Sequence, residues 1–165
     1  MEKILNSKKI KESALVLLDI RSAINVGAIF RTADAVGINK IFLVGVTPRP
    51  TDQFGRIQKD IAKSALGAEN FVSWEYEKEA MSLIKKLRKN NYEIVALEQD
   101  KNSVDYRNVK VAPKMAFLLG QEVSGIDKSV LKRCNQIAEI PMSGKKESLN
   151  VSVACGVFLF RVFQQ

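Results

Sequence analysis

With 165 residues, 46% of them apolar, the chain is long enough to bury one substantial core and too short for two ordinary domains. Its formal charge of +8 suits a polyanionic partner, and the absence of histidine excludes both a histidine general base and a histidine metal site. Two cysteines, Cys134 and Cys155, are too few and too far apart for a zinc knuckle, so the expected chemistry is metal-free and the thiols are read as buried apolar groups in a reducing compartment.

Residues 1–12 read as a basic N-terminal segment carrying Lys3, Lys8, Lys9 and Lys11. Charges alternate there with single apolar residues, so no signal-peptide core is present and a cytoplasmic protein is expected. Ala14 to Asp19 is a continuous apolar run, and Lys40 to Gly45 is another. A helix predicted over Ala28 to Val36 lies between them, which makes a βαβ unit. Asn25 is placed to cap that helix, and Gly37 to stop it.

Pro48 to Arg56, with two prolines, Asp52 and Gly55, is the clearest loop. Beyond it the pattern predicts a helix over Gln58 to Ala65, a strand near Phe71 to Trp74 and a helix over Tyr76 to Asn90. Lys85, Lys86, Arg88 and Lys89 read as the solvated face and basic last turn of that helix. A strand at Glu93 to Leu97 is followed by a polar connection from Lys101 to Pro113 and a strand at Met115 to Leu119. Lys128 to Arg133 reads as a helix, Gln136 to Ile140 as a strand, and Asn150 to Phe163 as the last helix.

Strand segments apolar on both faces imply a parallel sheet covered by helices. The last helix contains the longest apolar stretch, Val151 to Phe163, interrupted by Ser152 and Arg161 and shorter than the roughly 18–20 residues of a membrane span. It is apolar nearly all round, which predicts burial on more than one side, the second side against another subunit.

Three separated segments carry chemistry. The first runs from Asn25 to Gly37 (NVGAIFRTADAVG), the second from Leu119 to Gly125 (LGQEVSG), and the third from Ile140 to Asn150 (IPMSGKKESLN). Singly each has an ordinary explanation, because glycine beside an acid is common at strand-to-helix turns and Ser-Leu-Asn suits a helix start. In this order and spacing they resemble the three signature motifs of the SpoU/TrmH family of RNA ribose methyltransferases, within the SPOUT superfamily.

The resemblance extends from Leu15 to Phe163 and implies a single α/β domain, with the catalytic core at residues 14–163. It implies a Rossmann-like parallel sheet with helices on both faces and a C-terminal deep trefoil knot, a topology that general rules disfavour. It also implies a homodimer whose active sites form near the interface, S-adenosyl-L-methionine as cofactor, and tRNA or rRNA as substrate. No appended RNA-binding domain is visible, so the RNA target is not legible.

The family's site residues carry over by position. Leu97, Leu119, Gly120, Ile140, Met142, Ser148 and Leu149 are the expected cofactor-binding set, with Gly120 required to be small where backbone approaches ligand. Arg31, Asn25, Glu122, Ser148 and Asn150 are the expected catalytic set. A guanidinium is too weak an acid to serve as a literal base, so Arg31 is read as an orienter that grips phosphate and stabilises charge on the 2′-oxygen. Glu122 would pair with Arg31 or with a cap, while Ser148 and Asn150 open the last helix, where backbone donors meet phosphate. Arg31, Lys145 and Lys146 are the expected RNA contacts.

Two other readings of the resemblance are a base-directed relative and a catalytically silent RNA-binding module. A small dinucleotide-binding domain is disfavoured because Ser22 to Gly27 holds one glycine where that fingerprint needs three.

Overall fold

The computed structural model describes residues 9–164, so Lys3 and Lys8 of the basic N-terminal segment lie outside the described residues. Seven strands form one sheet: β1 (Glu12–Leu18), β2 (Lys40–Val44), β3 (Ser73–Glu77), β4 (Glu93–Leu97), β5 (Val104–Asp105), β6 (Lys114–Leu119) and β7 (Gln136–Glu139). Their order is β3-β2-β1-β6-β4-β7-β5, and every pairing is parallel. Parallel strands need crossovers, supplied by α1 (Ala23–Val36), α2 (Lys59–Ala65), α3 (Ala80–Lys89) and α4 (Lys128–Leu131) among longer connections, and α5 (Val151–Phe163) follows the last strand.

Alternation along the strands divides the core in two. Leu15, Leu17, Ile41, Leu43, Phe117 and Leu119 face one layer, filled by α1, α2 and α5, whereas Val16, Leu18, Phe42, Ala96 and Leu118 face the layer of α3 and α4. Both faces of β1 and β6 are therefore buried, as their unbroken apolar runs require. Phe117 meets Phe158 of α5 edge-on, with centroids 5.7 Å apart.

The register sets up the site. Leu17 pairs with Leu119, Leu119 with Leu97, and Leu97 with Ala138, so the carboxyl ends of β1, β6, β4 and β7 finish level. Strand order also reverses between β1 and β6, and such a switch point at the carboxyl ends is where open α/β sheets bind ligands.

Several local expectations are corrected. Helix α1 begins at Ala23, not Ala28, because Ser22 is its cap and accepts from the Asn25 backbone N–H at 3.2 Å. Asn25 thus lies inside the first turn, with its side chain free for other work. Gly37 does stop the helix, at φ 88°, returning its N–H to Ala33 and Asp34. Strand β3 runs to Glu77, so Tyr76 is a strand residue and α3 starts only at Ala80. The connection from Lys101 to Pro113 contains β5, and α4 is a single turn ending at Leu131.

The basic residues of α3 are partly consumed by structure. Lys86 pairs with Glu75 and Glu77, and Arg88 donates to the Arg133 carbonyl at 2.7 Å. Helix α5 does not bury all its apolar surface in this chain. Cys155, Phe158, Leu159 and Val162 face the core, whereas Val153, Val157 and Phe160 remain exposed. Among the described residues, no helix is long and apolar enough to cross a membrane.

Candidate active site

The loops that leave the level strand ends enclose a cavity of about 290 Å³. Leu97 ends β4 and Leu119 ends β6, Gly120 opens the turn after β6, and Ile140, Met142, Ser148 and Leu149 lie on the loop from β7 to α5; all seven line the cavity. Glu122 lines it too, with Glu98, Glu139 and Glu147. Four carboxylates on one cavity in a chain of charge +8 make a locally acidic pocket suited to a bound cation.

Two consecutive residues at the end of β4, not singled out from sequence, hold both enclosing loops. The Glu98 carboxylate accepts from the Ile126 N–H at 2.9 Å and from the Gln99 N–H at 2.9 Å, securing the loop after β6. The Gln99 side chain donates to the Glu147 carbonyl at 2.6 Å, securing the loop before α5. Gly125 has φ +66°, and a Cβ there would collide with the Glu98 carboxylate. No motif flagged Glu98 or Gln99, because their partners are backbone groups remote in sequence.

Gly120 has a reason to be small within the chain itself. A Cβ on it would lie 2.5 Å from Ile126 Cγ1 and 2.7 Å from the Gly125 carbonyl carbon, so the chain's own loop demands glycine there. Gly27 of the first motif is likewise a packing residue. Its Cβ would meet Ser64 and lie 2.5 Å from the Ile61 carbonyl oxygen, because α1 crosses α2 at glycine distance.

Side chains from all three motifs join at the cavity rim. Asn25 Nδ2 donates to Glu122 Oε1 at 3.2 Å, and Asn150 Nδ2 donates to Asn25 Oδ1 at 3.2 Å. Asn150 Oδ1 in turn accepts from Ser152 N at 2.9 Å, capping α5. Glu122 therefore has Asn25, not Arg31, as its partner, and Asn150 both caps and connects. The juxtaposition follows from strand order, since the turn after β1 leads into Asn25 and the turn after its neighbour β6 leads into Glu122.

Other expected residues stand apart. Arg31 is exposed, six residues along α1 from Asn25, and does not line the cavity. Seven residues return nearly to the same helix face, so Arg31 shares its exposed face with Ile24, which is 59% exposed. Lys145 and Lys146 are exposed on the loop before α5, as is Ser148. Neither thiol is poised to react: burial pushes Cys134 up to about 11 and the fully enclosed Cys155 up to about 12. Among the described residues, no group of three or more acidic or cysteine side chains could hold a metal ion.

An all-parallel α/β sheet with an acidic cavity at its carboxyl edge, closed by loops from β4, β6 and β7, defines a ligand-binding protein of the doubly covered α/β class. Residues 12–160 match the SpoU rRNA Methylase family, and the chain belongs to that family. It is 30% identical over 156 residues to a Staphylococcus saprophyticus protein assigned to the TrmH family of tRNA/rRNA methyltransferases, covering 94% of this chain and 60% of that one.

The AdoMet-bound rRNA methyltransferase from Sinorhizobium meliloti superposes with a TM-score of 0.85 at 27% identity, over 95% of this chain and 57% of that one. The A. aeolicus TrmH/SpoU tRNA modifying enzyme gives 0.82 at 25% identity, over 96% and 77%. The chain spans about 60% of the length of the first two curated relatives it matches.

Proposed function

We propose that this chain transfers a methyl group from S-adenosyl-L-methionine to a ribose 2′-hydroxyl of tRNA or rRNA, as a cytoplasmic homodimer. The observation that carries the reading is the Glu122–Asn25–Asn150 hydrogen-bond chain, which ties the three family motifs together at the rim of an acidic cavity. The cofactor fits the chemistry of that cavity. Leu97, Leu119, Ile140 and Leu149 offer apolar surface to an adenine, and the carboxylates complement a sulfonium and an α-ammonium. When bound, it supplies an electrophilic methyl group, and no Lewis acid is needed.

The chain's own residues then have three tasks. Glu98 and Gln99 hold the pocket loops, so that the methyl donor sits in a fixed position. Asn25, Glu122 and Asn150 fix the rim, with Ser148 beside them offering a hydroxyl to the acceptor nucleotide. Arg31 would grip the acceptor's phosphate and stabilise charge on the 2′-oxygen as its proton passes to solvent, the C–O bond forming as the C–S bond breaks and S-adenosylhomocysteine being released, with Lys145 and Lys146 adding phosphate contacts.

A second copy of the chain accounts for two features together. Ile24, Val153, Val157 and Phe160 form exposed apolar surface on α1 and α5, and Arg31 lies on the same face as Ile24. Packing another subunit there buries that surface and brings Arg31 to an interface, beside the partner's cofactor. We also propose that residues 1–165 form one domain with its core at 14–163, and that the chain from β6 to α5 is threaded as a deep trefoil knot. The insertion of β6 between β1 and β4, with β7 then on the far side of β4, supports that threading.

The test is methyl transfer from labelled S-adenosylmethionine to RNA from cells lacking the protein. Label is expected on a ribose, no label when that nucleotide is 2′-deoxy, and loss of most transfer in Arg31→Ala with cofactor affinity retained. Methylation of the deoxy substrate would assign the chemistry to a base.

A further inference from the structure

A second cleft, of about 540 Å³, opens at the same edge of the sheet, beyond the ends of β2 and β3. It is walled by Arg49, Asp52, Arg56, Ile57 and Tyr76, none of which belongs to the three motifs. One cation–aromatic pair lies in its wall, the Arg49 guanidinium 4.4 Å from the Tyr76 ring centroid, and a second leads out of it, where Arg56 of the wall lies 5.3 Å from the ring centroid of Phe54 on the adjoining hairpin tip.

The segment carrying Phe54 is a built hairpin, closed by the antiparallel bridge between Thr51 and Ile57. Asp52 organises it. Its backbone N–H donates to the Arg56 carbonyl at 3.0 Å, and its carboxylate accepts from the N–H groups of Phe54 and Arg56 at 2.8 and 3.0 Å and from Arg56 Nε at 2.7 Å. These bonds hold the Asp52 carboxyl below the usual carboxylate range, the backbone bond from Arg56 first. Gly55, at φ +76°, makes the turn.

The product of this organisation is a phenylalanine held 72% exposed on an ordered tip. A packed core has no use for such a ring, whereas a stacking platform requires it. Arg49 is the complementary feature. It is half-buried, and no carboxylate among the described residues lies within ion-pairing distance of it. A planar fork of donors, oriented on a tyrosine ring and free of an acid, is suited to a phosphate.

We infer that an unpaired RNA nucleotide flanking the methylated one binds here, its phosphate gripped by Arg49 in the cleft and its base stacked on Phe54 at the hairpin tip outside it. Strand spacing places the end of β2 roughly 10 Å along the edge from that of β6, within a few nucleotides of the cavity. Stacking tolerates any base, so the cleft selects for single-strandedness rather than sequence. The inference rests on the RNA reading of the neighbouring cavity.

The test is fluorescence anisotropy with a fluorescein-labelled uridine decamer, an abasic decamer of the same length and a 12-base-pair RNA duplex, read alongside Trp74 fluorescence and thermal melting as reporters of fold. The uridine decamer is expected to bind more tightly than the other two. Phe54→Ala is expected to weaken it about tenfold with an unchanged melting midpoint, and Phe54→Trp to restore it. Arg49→Ala is expected to reduce the slope of log affinity against log salt by about 0.7, the value of one phosphate contact on a single strand.

Equal affinity for uridine and abasic decamers, or an indifferent Phe54→Ala, would overturn the inference, as would displacement of the RNA by a glutamate decamer at equal concentration. Binding needs no methyl transfer, so the two proposals fail separately. Decamer binding through Phe54 without methylation would sink the activity alone, and methylation with an indifferent Phe54→Ala would sink this cleft alone.

Discussion

Replacing Glu98 by glutamine should loosen the cofactor pocket without unfolding the protein. The carboxylate accepts from two backbone N–H groups, of Ile126 and Gln99, each at 2.9 Å. A glutamine has one acceptor oxygen, so one of the bonds is lost. Hydrogen bonds to charged groups contribute about 1.5–3 kcal/mol each. Gln99 is exposed and regains water, whereas Ile126 is only 6% exposed and its N–H has less access to it.

With the amide oxygen turned to Ile126 that bond keeps its geometry but loses its charge, and with it turned away the bond is lost. The hold on the loop after β6 should therefore weaken by up to about 2 kcal/mol, which lowers ligand affinity by at most about 30-fold when binding requires the ordered loop. Isothermal titration with S-adenosylmethionine measures this directly, and the thermal midpoint should stay within a few degrees of the parent because the strands are untouched.

Glu98 also lines the cavity, so a second substitution separates positioning from direct contact. Gly125→Ala leaves every pocket charge in place but forces a Cβ onto the Glu98 carboxylate at a backbone φ of +66°. If both changes act through one contact, the double variant should lose less than the sum of the single losses. Additive losses, or affinity within twofold of the parent in Glu98→Gln, would refute the clamp.

Two further outcomes follow from packing and from the thiols. Gly27→Ala places a Cβ 2.5 Å from the Ile61 carbonyl oxygen and 3.0 Å from the Ala65 nitrogen, and overpacking of this kind costs about 1–3 kcal/mol, so differential scanning calorimetry should show a midpoint lowered by about 2–12 °C. A parent-like midpoint would mean that α1 and α2 separate freely. With Cys134 pushed up to about 11, only about a thousandth of it is thiolate at pH 8, and native protein should be alkylated by iodoacetamide far more slowly than denatured protein, with Cys155 unlabelled until unfolding. Because both values rise on folding, their contribution to stability is complete below the ordinary thiol value and is lost as pH climbs toward 11 to 12. Rapid labelling of native Cys134 at pH 8 would contradict its burial.

Much of the architecture was legible in the chain because it is local. Unbroken apolar runs at β1, β2 and β6 marked strands covered on both faces, and the glycine after Val36 marked the end of α1 at the residue where it stops. The second and third motifs identified two of the segments that line the cavity, because their residue types and spacing survive without knowledge of their neighbours. Boundaries failed where competing short-range signals met. Asn25 and Ser22 are both good caps, and which one serves depends on where the chain leaves β1.

Contacts between distant segments were decided only in three dimensions. Periodicity carries no information about which strand lies beside which, so neither the meeting of Asn25 with Glu122 and Asn150 nor the reach of Glu98 to Ile126 could be read from sequence. The same holds for Gly120 and Gly27, whose close contacts with the backbone of a distant loop and of α2 no local pattern announces. A sequence states what each residue is able to do; sheet order and register select the neighbour it does it with.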